Sequence, residues 1–171
     1  MRVLKLLAAL LAALFAHLLL VTLLPPVARF IDPFLLAIAY TALPGRVGWA
    51  AVAGAILGLA HDGLSGGLYG LHGFAGTAVA FLMARTARLA DLHKGYYIAL
   101  FFACAVILQQ LVLQGLLLLL VRRPELLSLP DLALRAAIAA PLGALLVAGG
   151  ERIAEAFASF RRRRRTEVFL D

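Results

Sequence analysis

Gly54-Ala-Ile-Leu-Gly58-Leu-Ala-His61-Asp62-Gly63-Leu-Ser65-Gly66-Gly67-Leu-Tyr-Gly70-Leu-His72-Gly73-Phe-Ala-Gly76, residues 54–76, holds eight of the chain's 15 glycines. Its one acidic residue, Asp62, stands where one apolar run stops and the next begins. A glycine costs a helix about 1 kcal/mol relative to alanine, so this density needs a physical reason. A membrane setting supplies two. Gly54 and Gly58 fall four apart on one helical face and let a neighbouring backbone approach closely. Gly63, Gly66 and Gly67 permit the positive φ of a tight turn, and Gly70, Gly73 and Gly76 give the returning helix a face of small residues. The stretch predicts two closely packed membrane helices joined by a polar elbow.

The rest of the composition agrees. Of 171 residues, 64% are hydrophobic and 15% charged, and the mean hydropathy is +0.99. A soluble domain is nearer half apolar, with about 25% charge. The expected class is an all-α integral membrane protein, with no room for a separate catalytic domain. A single cysteine, Cys104, lies inside an apolar run; it excludes an intramolecular disulfide and argues against a cysteine metal site. The first apolar run, residues 6–24 after Arg2 and Lys5, exceeds the 7 to 15 residues of a signal-peptide core. It reads as a retained first span.

That span ends at Pro25-Pro26. Ala8, Ala12 and Ala16 share one of its faces, as do Ala9 and Ala13; each row suits either helix–helix contact or lipid. Asp32-Pro33 is a helix start, with the acid as N-cap and proline at the first position. The helix it opens, residues 33–43, reaches about 16 Å at 1.5 Å per residue, half of the ~30 Å hydrocarbon core. Either residues 27–31 complete the crossing in extended or irregular form, or this is a half-helix sheltered by protein. Further spans follow at residues 47–60, 68–83, 96–121 and 132–150. Trp49 and Tyr96-Tyr97 suit the interface. Arg85, Arg88, Asp91, His93 and Lys94 read as a polar loop, Arg122-Arg123-Pro124-Glu125 closes the fifth span, and residues 126–131 form a short loop.

The expectation is a six-transmembrane-helix bundle with one short or broken helix at about residues 33–43. Residues 1–160 form its membrane domain, and residues 161–171 a basic cytoplasmic tail. With both termini in the cytoplasm, the inner side holds twelve Lys and Arg and the outer side four, as the positive-inside rule requires. A five-span arrangement with the N-terminus outside scores eleven against five. The usual placement of Arg2 and Lys5 inside favours six, which turns the Asp62 elbow outward.

Few residues suggest chemistry. His61, Asp62 and His72 are three loosely spaced ligands without a second carboxylate, which makes a poor metal site. A structural role fits Asp62 better, accepting hydrogen bonds from backbone N–H groups of the glycine turn; a substrate or proton path is the other reading. Gln109, Gln110 and Gln114 interrupt the fifth span, and His17 sits mid-way along the first. These are interhelical bonds, each contributing about 0.6 to 2 kcal/mol, or the lining of a pocket. Arg135 either snorkels or pairs with an acid such as Asp131. Arg161, Arg162, Arg163, Arg164 and Arg165 form a juxtamembrane tract suited to anionic lipid or a partner protein. The tract lacks the aromatic interleaving and binding fold of a nucleic-acid site. Ser65 and Ser128 are turn serines without a base, and no catalytic, cofactor or metal motif is visible.

The middle third resembles the MreD family of rod shape-determining proteins. The resemblance rests on Asp32-Pro33-Phe34-Leu35-Leu36, Tyr40-Thr41-Ala42-Leu43, the Gly54 to Leu59 run, Asp62, Leu64-Ser65-Gly66 and Gly70-Leu71. His61 and Gly63 depart from the expected pattern, making the elbow more polar and more flexible. The resemblance implies a non-enzymatic scaffold in the bacterial cytoplasmic (inner) membrane. Its implied partners are MreC directly, and MreB, a SEDS glycosyltransferase and a penicillin-binding transpeptidase more widely. It also implies a fold similar to the S-components of energy-coupling factor transporters, a six-helix bundle with a central cavity. A substrate-binding subunit of such a transporter is therefore the alternative. The shortage of polar and aromatic groups, with Trp49 the one tryptophan, favours the scaffold.

Overall fold

The computed structural model describes residues 2–66, 68–89, 95–121 and 128–167; beyond residue 150 it describes the backbone and, of the side chains, Arg152 alone. Gly67, Asp91, His93, Lys94, residues 122–127 and the side chains of Arg161 to Arg165 lie outside this description. The described residues are all α-helical: α1 Arg2–Leu23, α2 Pro25–Ala28, α3 Pro33–Ala42, α4 Val47–Ser65, α5 Leu71–Leu89, α6 Gly95–Leu120 and α7 Leu129–Glu167. Four of them are long and apolar enough to cross a membrane: α1, α4, α6 and the Leu129–Gly150 part of α7. At 10 residues α3 is too short, and α5, although 19 residues long, is not one of the four. The chain is an α-helical membrane protein.

The short helix is the plug of the bundle. Asp32 caps it: Oδ1 accepts from the N–H of Phe34 at 2.9 Å and of Leu35 at 3.1 Å, satisfying two of the donors every helix start leaves open. Pro33 follows at the first helical position, where a missing N–H costs nothing. Phe34, Leu35, Leu36, Ile38, Ala39 and Ala42 are all buried. A helix apolar on all sides belongs in an interior, and α3 is packed by α1, α4, α5, α6 and α7. Residues 27–31 are not extended: Pro25–Ala28 form one helical turn, with Phe30 N–H bonded to the carbonyl of Val27 at 2.9 Å. Its two prolines start that turn but end α1, because neither can supply the N–H that would continue it.

On α1, Leu6 and Ala13 are buried, with Leu10 and Leu14 packed beside them. Ala8 and Ala12 face outward, so the two alanine rows divide between the bundle and its exterior.

The largest helix–helix contact joins α4 to α5, and glycine makes it. A Cβ on Gly54 would strike the carbonyl oxygen of Gly76, and one on Gly58 the carbonyl oxygen of His72. A Cβ on Gly76 would come within 2.7 Å of the Gly54 oxygen. The backbones touch, and no side chain fits between them. Three boundaries differ from the sequence reading. The α4 helix runs on through Gly63 to Ser65, so Asp62 lies inside the helix and Gly63 takes no turn conformation. Glycine is tolerated in a membrane helix whose neighbours satisfy its backbone. The reversal is instead made by Gly66 (φ 64°) and Gly70 (φ 95°), and Gly70 precedes α5. At the far end α5 continues through Arg85 and Arg88 to Leu89, because arginine is a good helix former.

A second close approach holds α6 to α7. A Cβ on Gly143 would fall within the ring of Phe102, one of the largest fully buried side chains. Gly143→Val is expected to lower stability by about 1–3 kcal/mol through overpacking, read as a lower Tm of the detergent-solubilised protein. The start of α7 also departs from the sequence reading. Ser128 is its cap, donating to Asp131 Oδ2 at 2.6 Å and accepting from the Asp131 N–H at 3.3 Å. Pro130 and Asp131 therefore belong to the first turn, not to a loop, and Asp131 is engaged with Ser128. Ser128→Ala should cost about 1 kcal/mol, a modest fall in the same Tm.

Candidate functional site

Several polar side chains, among them Asp32, His61, Asp62, His72 and Gln109, converge towards one end of the bundle. That end carries the last turns of α1 and α4 and the first turns of α3, α5 and α7. Asp62 is the first node, 3% exposed. Its Oδ2 accepts from the N–H groups of Gly70 and Gly73, each at 2.9 Å. Its Oδ1 accepts from the His72 N–H at 3.0 Å and from His72 Nδ1 at 2.9 Å. A carboxylate on one helix thus caps the start of the next, using donors that α5 leaves free, at the end where a helix dipole favours negative charge. Four hydrogen bonds on two oxygens leave the buried acid fully paired.

Asp32 is the second node. One oxygen caps α3; the other accepts from Gln109 Nε2 at 3.1 Å and lies 3.7 Å from His61 Nδ1. Between the two acids runs a chain of rings. His61 stacks on Phe34 at a centroid distance of 5.0 Å and 10° between planes, and its centroid lies 4.2 Å from that of His72. His17 approaches both His61 and Phe34 at 5.6 Å. Side chains from α1, α3, α4, α5 and α6 meet there.

Beside this cluster lies a cavity of about 250 Å³. Its polar lining residues are His17, Arg29, Asp32, His61, Ser65, His72, Gln109, Gln110 and Arg135. Leu35, Leu36, Val106, Leu113, Ile138 and Leu142 are among its apolar lining residues. Two buried atoms on its lining residues, Gln109 Oε1 and Arg135 Nε, have no hydrogen-bond partner among the described residues. Among those residues no three His, Cys, Asp or Glu side chains group so as to hold a metal ion.

Residues 1–147 match the family model described as rod shape-determining protein MreD. The chain belongs to the MreD family. The match takes in both acid nodes, the ring chain, the cavity and the apolar part of α7 as far as residue 147. It supports a role in rod shape determination for this MreD-family chain, in a family known for structure and not for catalysis. No curated protein and no solved structure matches the chain.

The structure of this MreD protein distributes the sequence-predicted residues unevenly. Asp32 and Pro33 start α3; Gly54 and Gly58 face α5; Asp62, Ser65, Gly66 and Gly70 make or flank the reversal, where Ser65 Oγ donates to the Asp62 carbonyl at 3.3 Å. His17, Gln109 and Gln110 reach the cavity, and Gln114, one turn further along α6, does not. Arg135 neither pairs with Asp131 nor stands at the surface alone; it lines the cavity. The second role of Asp32, as acceptor for Gln109, went unread in the sequence. Its signal was present: Asp32, His61, His72 and Arg135 each sit within about two turns of a helix's end.

Proposed function

We propose that this protein is a non-enzymatic scaffold subunit of the bacterial cell-elongation machinery, which builds peptidoglycan along the rod. It spans the cytoplasmic membrane six times, α3 and α5 completing the set begun by the four long helices, with both termini inside. MreC binds it directly; MreB, the SEDS glycosyltransferase and the penicillin-binding transpeptidase belong to the wider assembly. The Arg161 to Arg165 tract then meets anionic lipid of the inner leaflet, each arginine contributing about 1 kcal/mol near the surface.

The observation that carries this reading is the family match across residues 1–147. The packing supports it: a bundle whose buried acids are held by its own backbone has the rigidity a scaffold requires. Purification from native membranes under mild detergent tests it. MreC is the expected co-purifying protein. Recovery of a transporter's transmembrane coupling subunit and ATPases in its place would overturn the scaffold and establish the transport alternative.

Topology has its own test. Leu64 is exposed beside the reversal. In a Cys104→Ala background, Leu64→Cys is expected to react with a membrane-impermeant maleimide applied from outside intact cells. Reaction only after the inner face is opened would invert the arrangement.

A further inference from the structure

The cavity is built for a ligand that neither the family description nor the scaffold role assigns. Residues of α1 and of α3 to α7 line it, and so does Arg29, which is exposed. Its lining carries charges of both signs. Two arginines, Arg29 and Arg135, are among its lining residues, as is Asp32, whose carboxylate is hydrogen-bonded to the Gln109 amide. The two buried atoms without partners among the described residues have opposite hydrogen-bonding character. Arg135 Nε is a donor in want of an acceptor, and Gln109 Oε1 an acceptor in want of a donor. The orientation of the Gln109 amide follows from its bond to Asp32: Nε2 must donate to that carboxylate, which leaves Oε1 free. A buried polar group left unpaired is costly, so an occupant that pairs both is favoured.

We propose that this cavity binds a phosphate group joined to an amine, as in the headgroup of an aminophospholipid. The phosphate lies against Arg135 and Arg29, whose planar forks suit phosphate oxygens. The ammonium lies against Gln109 Oε1 and Asp32. Size agrees with a headgroup and excludes a whole lipid: 250 Å³ equals about eight waters at ~30 Å³ each. The acyl chains stay outside, and the apolar lining of Leu113, Ile138 and Leu142 accepts the methylenes nearest the glycerol. A free phosphoethanolamine has the same polar chemistry. The apolar residues of the lining and the membrane around the bundle favour the lipid as the occupant.

The experiment uses the full chain in maltoside detergent, which carries neither phosphate nor amine. Binding is followed by native mass spectrometry and by thermal stabilisation. The probes are short-chain phosphatidylethanolamine, phosphatidylcholine of the same chain length, and free phosphoethanolamine. Phosphatidylethanolamine is expected to bind and raise Tm. Phosphatidylcholine, whose quaternary nitrogen has no N–H to donate, should bind about tenfold more weakly, and free phosphoethanolamine more weakly still. Arg135→Ala and Gln109→Leu should each weaken phosphatidylethanolamine binding at least tenfold, while Arg152→Ala, at an exposed position away from the cavity, changes nothing. The Tm of each variant without lipid shows whether it has folded, and Gln109→Leu keeps the volume of the side chain. Equal binding of the ethanolamine and choline lipids would overturn the proposal, as would unaltered binding in folded Arg135→Ala and Gln109→Leu. Free phosphoethanolamine binding as tightly as the lipid would overturn the lipid source. Loss of MreC from native preparations bears on the scaffold alone and leaves this result untouched.

Discussion

Gly58→Leu is expected to destabilise the protein by about 3 kcal/mol or more, the upper end of what overpacking costs, so that little monodisperse protein survives extraction. The clash is with the carbonyl of His72, and the carbonyl and Cα carbons of His72 and Gly73 stand 2.7 and 2.8 Å from the added Cβ. Backbone cannot rotate aside as a side chain can, so the helices must separate. Separation removes both the apolar contact and the geometry by which Asp62 reaches α5. Gly63→Leu is the control on the same helix. A Cβ there meets nothing within 4 Å, and leucine is the better helix former by close to 1 kcal/mol. Its Tm should stay level or rise. Elution profile and Tm of the two variants, side by side, decide whether contact or mere hydrophobicity is at stake.

Asp62→Asn is the second large effect. The amide is nearly isosteric, so packing is unchanged, but one of its two ends becomes an N–H donor. Either Gly70 and Gly73 or both groups of His72 then face a donor in place of an oxygen. His72 can change tautomer so that Nδ1 accepts from the new amide, which makes the His72 side the cheaper one and leaves its backbone N–H without an acceptor, a predicted loss of about 1–3 kcal/mol. The loss should be accompanied by faster hydrogen exchange at the Gly70, His72 and Gly73 amides, with those of α6 unaffected. Asp32→Asn should cost less, since asparagine still caps a helix about as well as aspartate.

The elements were legible wherever a local rule decided them. Asp32-Pro33 announced the start of α3, Pro44-Gly45 its end, and Gly54 with Gly58 the face that meets α5. Two kinds of information were not local. Glycine marks both close packing and turning, so residues 63–70 did not say which glycine did which; Gly63 is helical because α4 needs Leu57, Gly58 and Asp62 on a single buried face. Convergence was hidden more deeply. His17, Asp32, His61, His72, Gln109 and Arg135 share no periodicity, and only the crossing of six helices brings them to one cavity. A polar residue near the end of an apolar helix fits a snorkelling side chain as well as a buried one. Which it is depends on neighbours supplied from elsewhere in the chain.

The central claim is that α4 and α5 touch backbone to backbone inside the membrane and are fastened by the Asp62 carboxylate. Solid-state NMR on the glycine- and aspartate-labelled chain in lipid bilayers tests this without altering a residue. Close contacts between Gly54 and Gly76 carbons, and between the Asp62 carboxyl carbon and the Gly70 and Gly73 amide nitrogens, are the predicted result. Resolved signals for these residues with none of those contacts would contradict it.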